Sequence, residues 1–103
     1  MPPVEACEDH EMDDLVDAIL SLQNKREAKR FLRDLLTESE LLELGNRLKA
    51  ARMLYDQVPY TTIEEQLGLS STTVARISKW LNHGKGGYRL ILERLAKRDE
   101  EQP

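Results

Sequence analysis

The chain has 103 residues, of which 40% are apolar, 33% charged and 5% aromatic, and its formal net charge is −4. That length makes one domain near the lower limit for a self-sufficient core, so a second subunit would help it. No apolar run approaches the roughly 20 residues that cross a bilayer, and the N-terminus lacks the basic-then-apolar layout of a secretion signal, so a cytoplasmic protein with no membrane partner is expected.

Met1 to His10, MPPVEACEDH, is proline-led and acidic and is expected to be disordered. Its lone cysteine, Cys7, cannot form an internal disulfide, which fits a reducing compartment. Cys7 and His10 have a spacing that suits a metal, but no second Cys/His pair completes a tetrahedral site, so no metal is expected. From Glu11 the pattern turns helical, with Leu15, Ile19 and Leu22 on one face and Val16 and Leu20 beside them. A stripe this wide on a short helix implies burial against more than one neighbour.

Asn24 interrupts that pattern, and a second helix follows to about Leu36. Ala28, Phe31, Leu32, Leu35 and Leu36 point inward, while Lys25, Arg26, Lys29, Arg30 and Arg33 point outward. The basic face has three readings: contact with phosphate, contact with the acidic first helix of a partner, or plain solvation. Thr37 and Glu40 have the spacing of a capping box and mark a longer third helix, whose expected buried stripe is Leu41, Leu44, Leu48 and Ala51. Gly45 inside it costs about 1 kcal/mol relative to alanine, which points to close packing against another helix. Pro59 closes the region.

Tyr60 to Leu81, YTTIEEQLGLSSTTVARISKWL, has the spacing of a helix-turn-helix. Thr61 and Glu64 form a second candidate capping box at its entry. Ile63 and Leu67 share a face of the first helix, and Val74, Ile77 and Leu81 share a face of the second. Gly68 stands where a helix end calls for positive φ, and Ser70 or Ser71 offers an oxygen to the next helix N-terminus. The face opposite the apolar one carries Ser71, Thr72, Ala75, Arg76, Lys79 and His83, with no acid. Small hydroxyl residues and an alanine let a helix enter the major groove closely, and basic residues further along reach phosphates or a guanine edge. Candidate contacts to double-stranded DNA are therefore Ser70, Ser71, Thr72, Thr73, Ala75, Lys79, His83 and Lys85.

Gly84-Lys85-Gly86-Gly87 is a hinge rather than a phosphate loop, since it lacks the Gly-Lys-Ser/Thr ending and a preceding strand. A last helix, Tyr88 to about Arg98, places Tyr88, Ile91, Leu92 and Leu95 on one face, and residues 99–103 are expected to form a loose tail. Strand-like alternation is absent throughout. The expected class is all-α, with about six helices in a single domain over 11–98 and the helix-turn-helix over 60–82.

The negative net charge hides a gradient: residues 1–24 carry −7, 25–57 carry +2, 58–98 carry +4 and 99–103 carry −3. Between Ser70 and Leu92 there is no Asp or Glu, while Arg76, Lys79, Lys85 and Arg89 are present. Charges beyond a Debye length of roughly 8 Å are largely screened, so a nucleic-acid phosphate responds to this local excess more than to the total.

Two segments then identify a family. LLTESELLELGNRLKAARMLYDQ followed by IEEQLGLSSTTVARISKWLNHGKGGYRLILERL resembles the tryptophan repressor superfamily, and the GKGGYRLILERL ending is similar to its YerC/YecD branch. The match spans about Leu35 to Leu95; the LGNR element, the VAR-x-x-x-x-L spacing and the GGY ending are its specific parts. The resemblance implies six helices per subunit in an intertwined homodimer, with recognition helices presented to successive major grooves about 34 Å apart. It further implies that Arg47 and Arg76 match two arginines which sandwich a bound tryptophan in the founding repressor. Ile77 and Trp80, however, stand where that repressor has a glycine and a serine, so this set is read as a remnant of an effector pocket with Trp80 held by the arginines. Packing is the favoured role of Arg76. Tryptophan is not expected as corepressor, and no cofactor is expected.

The sequence thus reads as a homodimeric, sequence-specific DNA-binding regulator, a repressor in sense. A competing reading is a protein-interaction adaptor that keeps the fold without specific DNA binding. No catalytic residue is assigned, because neither His10 nor His83 has a nucleophile or metal partner at hand.

Overall fold

The computed structural model describes residues 8–101. Within them lie a wide π-type turn, Glu8–Met12, and six α-helices: α1 (Asp13–Leu20), α2 (Lys25–Leu35), α3 (Glu38–Tyr55), α4 (Tyr60–Leu67), α5 (Ser71–His83) and α6 (Gly87–Glu101). There is no strand among the described residues, as the pattern predicts. Cys7, most of the acidic leader and residues 102–103 fall outside the described residues. None of the described helices is long and apolar enough to cross a membrane.

The chain gathers into two units, Met1–Leu41 and Leu42–Pro103. In the first, Asn24 accepts a hydrogen bond from the Glu27 N–H at 2.9 Å, and Glu27 returns one from the Gln23 N–H at 3.0 Å, which starts α2 where the apolar pattern broke. The Thr37–Glu40 box forms as expected: the Thr37 N–H donates to Glu40 Oε1 at 2.9 Å and the Glu40 N–H to Thr37 Oγ1 at 3.1 Å. The Thr37 backbone N–H, and after it the Thr37 hydroxyl, hold the Glu40 carboxyl below its ordinary pKa by favouring its ionised form. Neither α1 nor α2 contains a buried residue, and the apolar residues of α1 include Ile19 at 48% exposure and Leu20 at 75%.

The second unit has the core. Ala50, Ala51, Ile63, Val74, Ile77, Leu81 and Leu92 are buried, with Met53, Leu54, Tyr55, Val58, Leu67, Leu69 and Tyr88 packed against them. Here α3 departs from expectation. Ala51 is buried as expected and is joined by Ala50, while Leu44 and Leu48, expected in the same stripe, remain substantially exposed. The alanines let α3 approach closely, and the leucines lie on a face that this unit does not cover. A methyl group added at Gly45 would meet nothing within 4 Å among the described residues, so the close helix contact expected there is not made within this unit.

Two Schellman turns punctuate the unit. After α3, the Val58 N–H bonds to the Met53 carbonyl at 2.9 Å and the Gln57 N–H to that of Leu54 at 3.0 Å, with Gln57 at φ +64°. The second follows α4 and turns on Gly68. The Thr61–Glu64 box is not formed, because Pro59, in extended backbone, precedes a helix that already starts at Tyr60 and carries no side-chain cap. The final helix runs beyond Arg98 to Glu101, and Asp99, expected in a loose tail, pairs with Arg52 of α3.

Candidate nucleic-acid interface

The turn fixes how α5 is displayed. Gly68 adopts φ +65°, ψ +32°, and the N–H groups of Gly68 and Leu69 both reach the Glu64 carbonyl. A side chain there would be strained by backbone geometry alone, since the space beside it is open. Ser70 then caps α5, its Oγ accepting from the Thr73 N–H at 3.1 Å. Val74 and Ile77 are fully buried and Leu81 nearly so. With three consecutive inward positions locked into the core, the rotation of the helix about its axis is set.

The opposite side is open. Ser71, Thr72, Ala75, Arg76, Lys79 and His83 are all exposed, as is Lys85 just beyond the helix. Among the described residues none of the basic groups on this face is engaged in an ion pair, in contrast to Arg47, Arg52 and Arg98. Two of the expected contact residues are otherwise employed. Ser70 spends its oxygen on the cap, and Thr73 is half-buried, turned toward Ser70 Oγ at 2.9 Å, about 100° away from the face centred on Lys79 and Thr72.

Each edge of α5 borders a cavity. At one edge, the Arg47 guanidinium lies 5.9 Å from the centroid of the Trp80 ring, and Arg47 also pairs with Glu43 at 2.9 Å. A cavity of about 230 Å³ is lined there by Arg47, Arg76, Trp80, Thr73, Leu69 and Glu43. The structure thus brings together Arg47, Arg76 and Trp80, as expected, but Ile77 is buried in the core instead of lining the cavity. Arg76, expected to pack, is exposed, and the cation over the indole is Arg47. Immediately after α5, the Gly84 N–H bonds to the Trp80 carbonyl at 2.9 Å, and a Cβ at Gly84 would collide with that same oxygen. The glycine is needed there because the backbone approaches so closely.

At the other edge runs a chain of hydrogen bonds absent from the sequence reading. Tyr60 Oη donates to Ser78 Oγ at 2.5 Å, Asn82 Nδ2 donates to the Ser78 carbonyl at 2.9 Å, and an Arg89 guanidinium N–H donates to Asn82 Oδ1 at 2.8 Å. It stitches α4, α5 and α6 together beside a cleft of about 500 Å³. The one available signal was the helical spacing of Ser78 and Asn82, four residues apart. Nothing local in the sequence brings Tyr60 or Arg89 to them.

With this geometry in place, comparison with known proteins is informative. Residues 10–96 match the family model described as Trp repressor protein. The chain is 38% identical over 91 residues to the YerC protein of Bacillus subtilis (strain 168), covering 88% of each chain. Its fold superposes with a TM-score of 0.82 on a TrpR-like protein from Eubacterium eligens ATCC 27750, at 36% identity, covering 89% of this chain and 95% of that one. A solved structure from Staphylococcus aureus gives a TM-score of 0.82 at 35% identity, covering 93% of this chain and 96% of that one.

Proposed function

Since the chain belongs to the Trp repressor family, in the branch represented by YerC, we propose that it is a sequence-specific DNA-binding transcriptional regulator, a repressor that works as a cytoplasmic homodimer. The observation that carries this reading is the open, acid-free side of α5, on which Ser71, Thr72, Ala75, Lys79 and His83 stand together while Val74, Ile77 and Leu81 hold the helix from behind. Small residues at the leading end admit the helix to the major groove, and Lys79, His83 and Lys85 follow along the phosphates. Two such helices from a two-fold assembly would read a near-palindromic site.

Support for the homodimer comes from apolar surface left uncovered. Leu15, Val16, Ile19 and Leu20 on α1, and Leu42, Leu44 and Leu48 on α3, are all exposed, which is costly in a single soluble chain. Trp80 bears on the choice of effector. Its indole lies against Arg47 and lines the cavity that a free indole would have to enter, which supports a regulator without tryptophan as corepressor.

Selection of bound fragments from random duplex DNA tests the reading. A defined, near-palindromic motif is expected, bound with an affinity that falls steeply as salt rises. No measurable DNA affinity even at low salt would reject it and favour a protein-interaction adaptor.

A further inference from the structure

We propose that the cleft along the Ser78–Asn82 edge of α5 is a phosphate-binding site in which Arg89 supplies the charge and Ser78 and Asn82 help to orient the group. The cleft holds about 500 Å³, enough for a small oxyanion with part of its carrier, and it lies at the opposite edge of α5 from the Arg47–Trp80 cavity. Among the described residues no carboxylate lines it.

Arg89 is an exposed guanidinium without an ion pair among the described residues, although Glu93 follows one turn later on α6. Its bond to Asn82 Oδ1 aims the planar group while occupying little of its five-donor capacity. Ser78 Oγ accepts the Tyr60 hydroxyl, which leaves its own hydrogen to donate. A charged fork and a free hydroxyl beside an acid-free space suit a group with several anionic oxygens, and the bonds from Tyr60 to Arg89 hold them in place before it arrives.

The phosphate has two possible sources, a free phosphorylated small molecule or the DNA backbone beside the groove that α5 enters. The second rests on the regulator reading and the first does not. Both are separated by two measurements on the full chain. Inorganic phosphate is titrated while backbone amide resonances are followed, with chloride at matched ionic strength as control. The expected result for a free ligand is a saturable shift at Ser78, Asn82 and Arg89 with phosphate alone, weakened about tenfold or more in Arg89→Gln and partly restored in Arg89→Lys. Separately, the dependence of DNA affinity on salt is compared between the parent chain and Arg89→Gln, a loss of about one unit of slope assigning the site to backbone phosphate. Far-ultraviolet circular dichroism confirms that the variant keeps its helices.

The proposal is overturned if phosphate produces no selective shift and the slope is unchanged, or if the parent shows the selective shift and Arg89→Gln shows it equally. Should the parent chain not bind DNA, the regulator reading fails on its own, and the phosphate titration still decides this site.

Discussion

Arg47 of α3 and Trp80 of α5 face each other with the guanidinium 5.9 Å from the ring centroid, a contact that ties the long helix to the helix proposed to read DNA. Because Trp80 is 44% exposed, the pair is a surface cation–π contact, worth about 0.5–1 kcal/mol. A double-mutant cycle over Arg47→Ala and Trp80→Ala, read by urea unfolding, is expected to return a coupling energy of about that size. Isothermal titration of the parent chain with tryptophan should give no binding heat. Saturable heat would show that the indole does not fill the site.

Lys79 and the pair Ser71 and Thr72 occupy one open face but have different chemistry to offer. Replacing Lys79 by alanine removes a phosphate-reaching charge, so affinity should fall for every sequence and the salt slope should flatten by about one unit. Changing Ser71 or Thr72 should instead alter base preference, by about 1–3 kcal/mol at the base pair contacted. Equilibrium binding to the selected site and to single-base variants checks both. Full affinity of Lys79→Ala at all salt concentrations would reject the assignment of this face.

Gly68 and Gln57 both close Schellman turns at positive φ, but only one of them is glycine. Since nothing crowds Gly68, Gly68→Ala should cost about 1–2 kcal/mol from backbone strain alone. The reverse exchange, Gln57→Gly, relieves that strain and should stabilise by about 1 kcal/mol after the entropy of glycine is allowed for. Thermal or urea unfolding of the two variants should therefore move in opposite directions.

The Thr37–Glu40 box makes a pH prediction. Glu40 is held below its ordinary value of 4.5 by bonds to its ionised form, so its contribution is present above that value and fades as pH falls through the lower folded-state value. Thr37→Ala should cost about 1 kcal/mol at neutral pH by removing the cap. Glu40→Gln should flatten this part of the stability profile. An unchanged acid limb in Glu40→Gln would assign the pH dependence elsewhere.

What could be read from the sequence was what depends on a few neighbouring residues. The Thr37–Glu40 box, the left-handed Gly68 and the Ser70 cap are each decided within one helical turn, and the inward trio Val74, Ile77 and Leu81 follows from helical period alone. The misreadings share another character. Leu44 and Leu48 share the spacing of a stripe with Ala51, yet only Ala51, with Ala50 beside it, meets the core, because period identifies an apolar face without saying which neighbour covers it. Correspondence with a glycine puts Ile77 in a pocket, whereas its position in the inward trio assigns it to the core, where it lies. The contacts from Tyr60 to Ser78 and from Asn82 to Arg89 join separate helices, and no local rule anticipates them.

The exposed leucines and isoleucine of α1 bear on how this protein should be handled. A segment in which no side chain reaches an interior has little to hold it helical in water, because short isolated helices are marginal and gain their stability from docking. If another molecule of the same chain supplies that dock, order in α1 is a property of the solution as much as of the polypeptide. Dilution alone would then lower the melting temperature, with α1 losing protection from hydrogen exchange before α5 does.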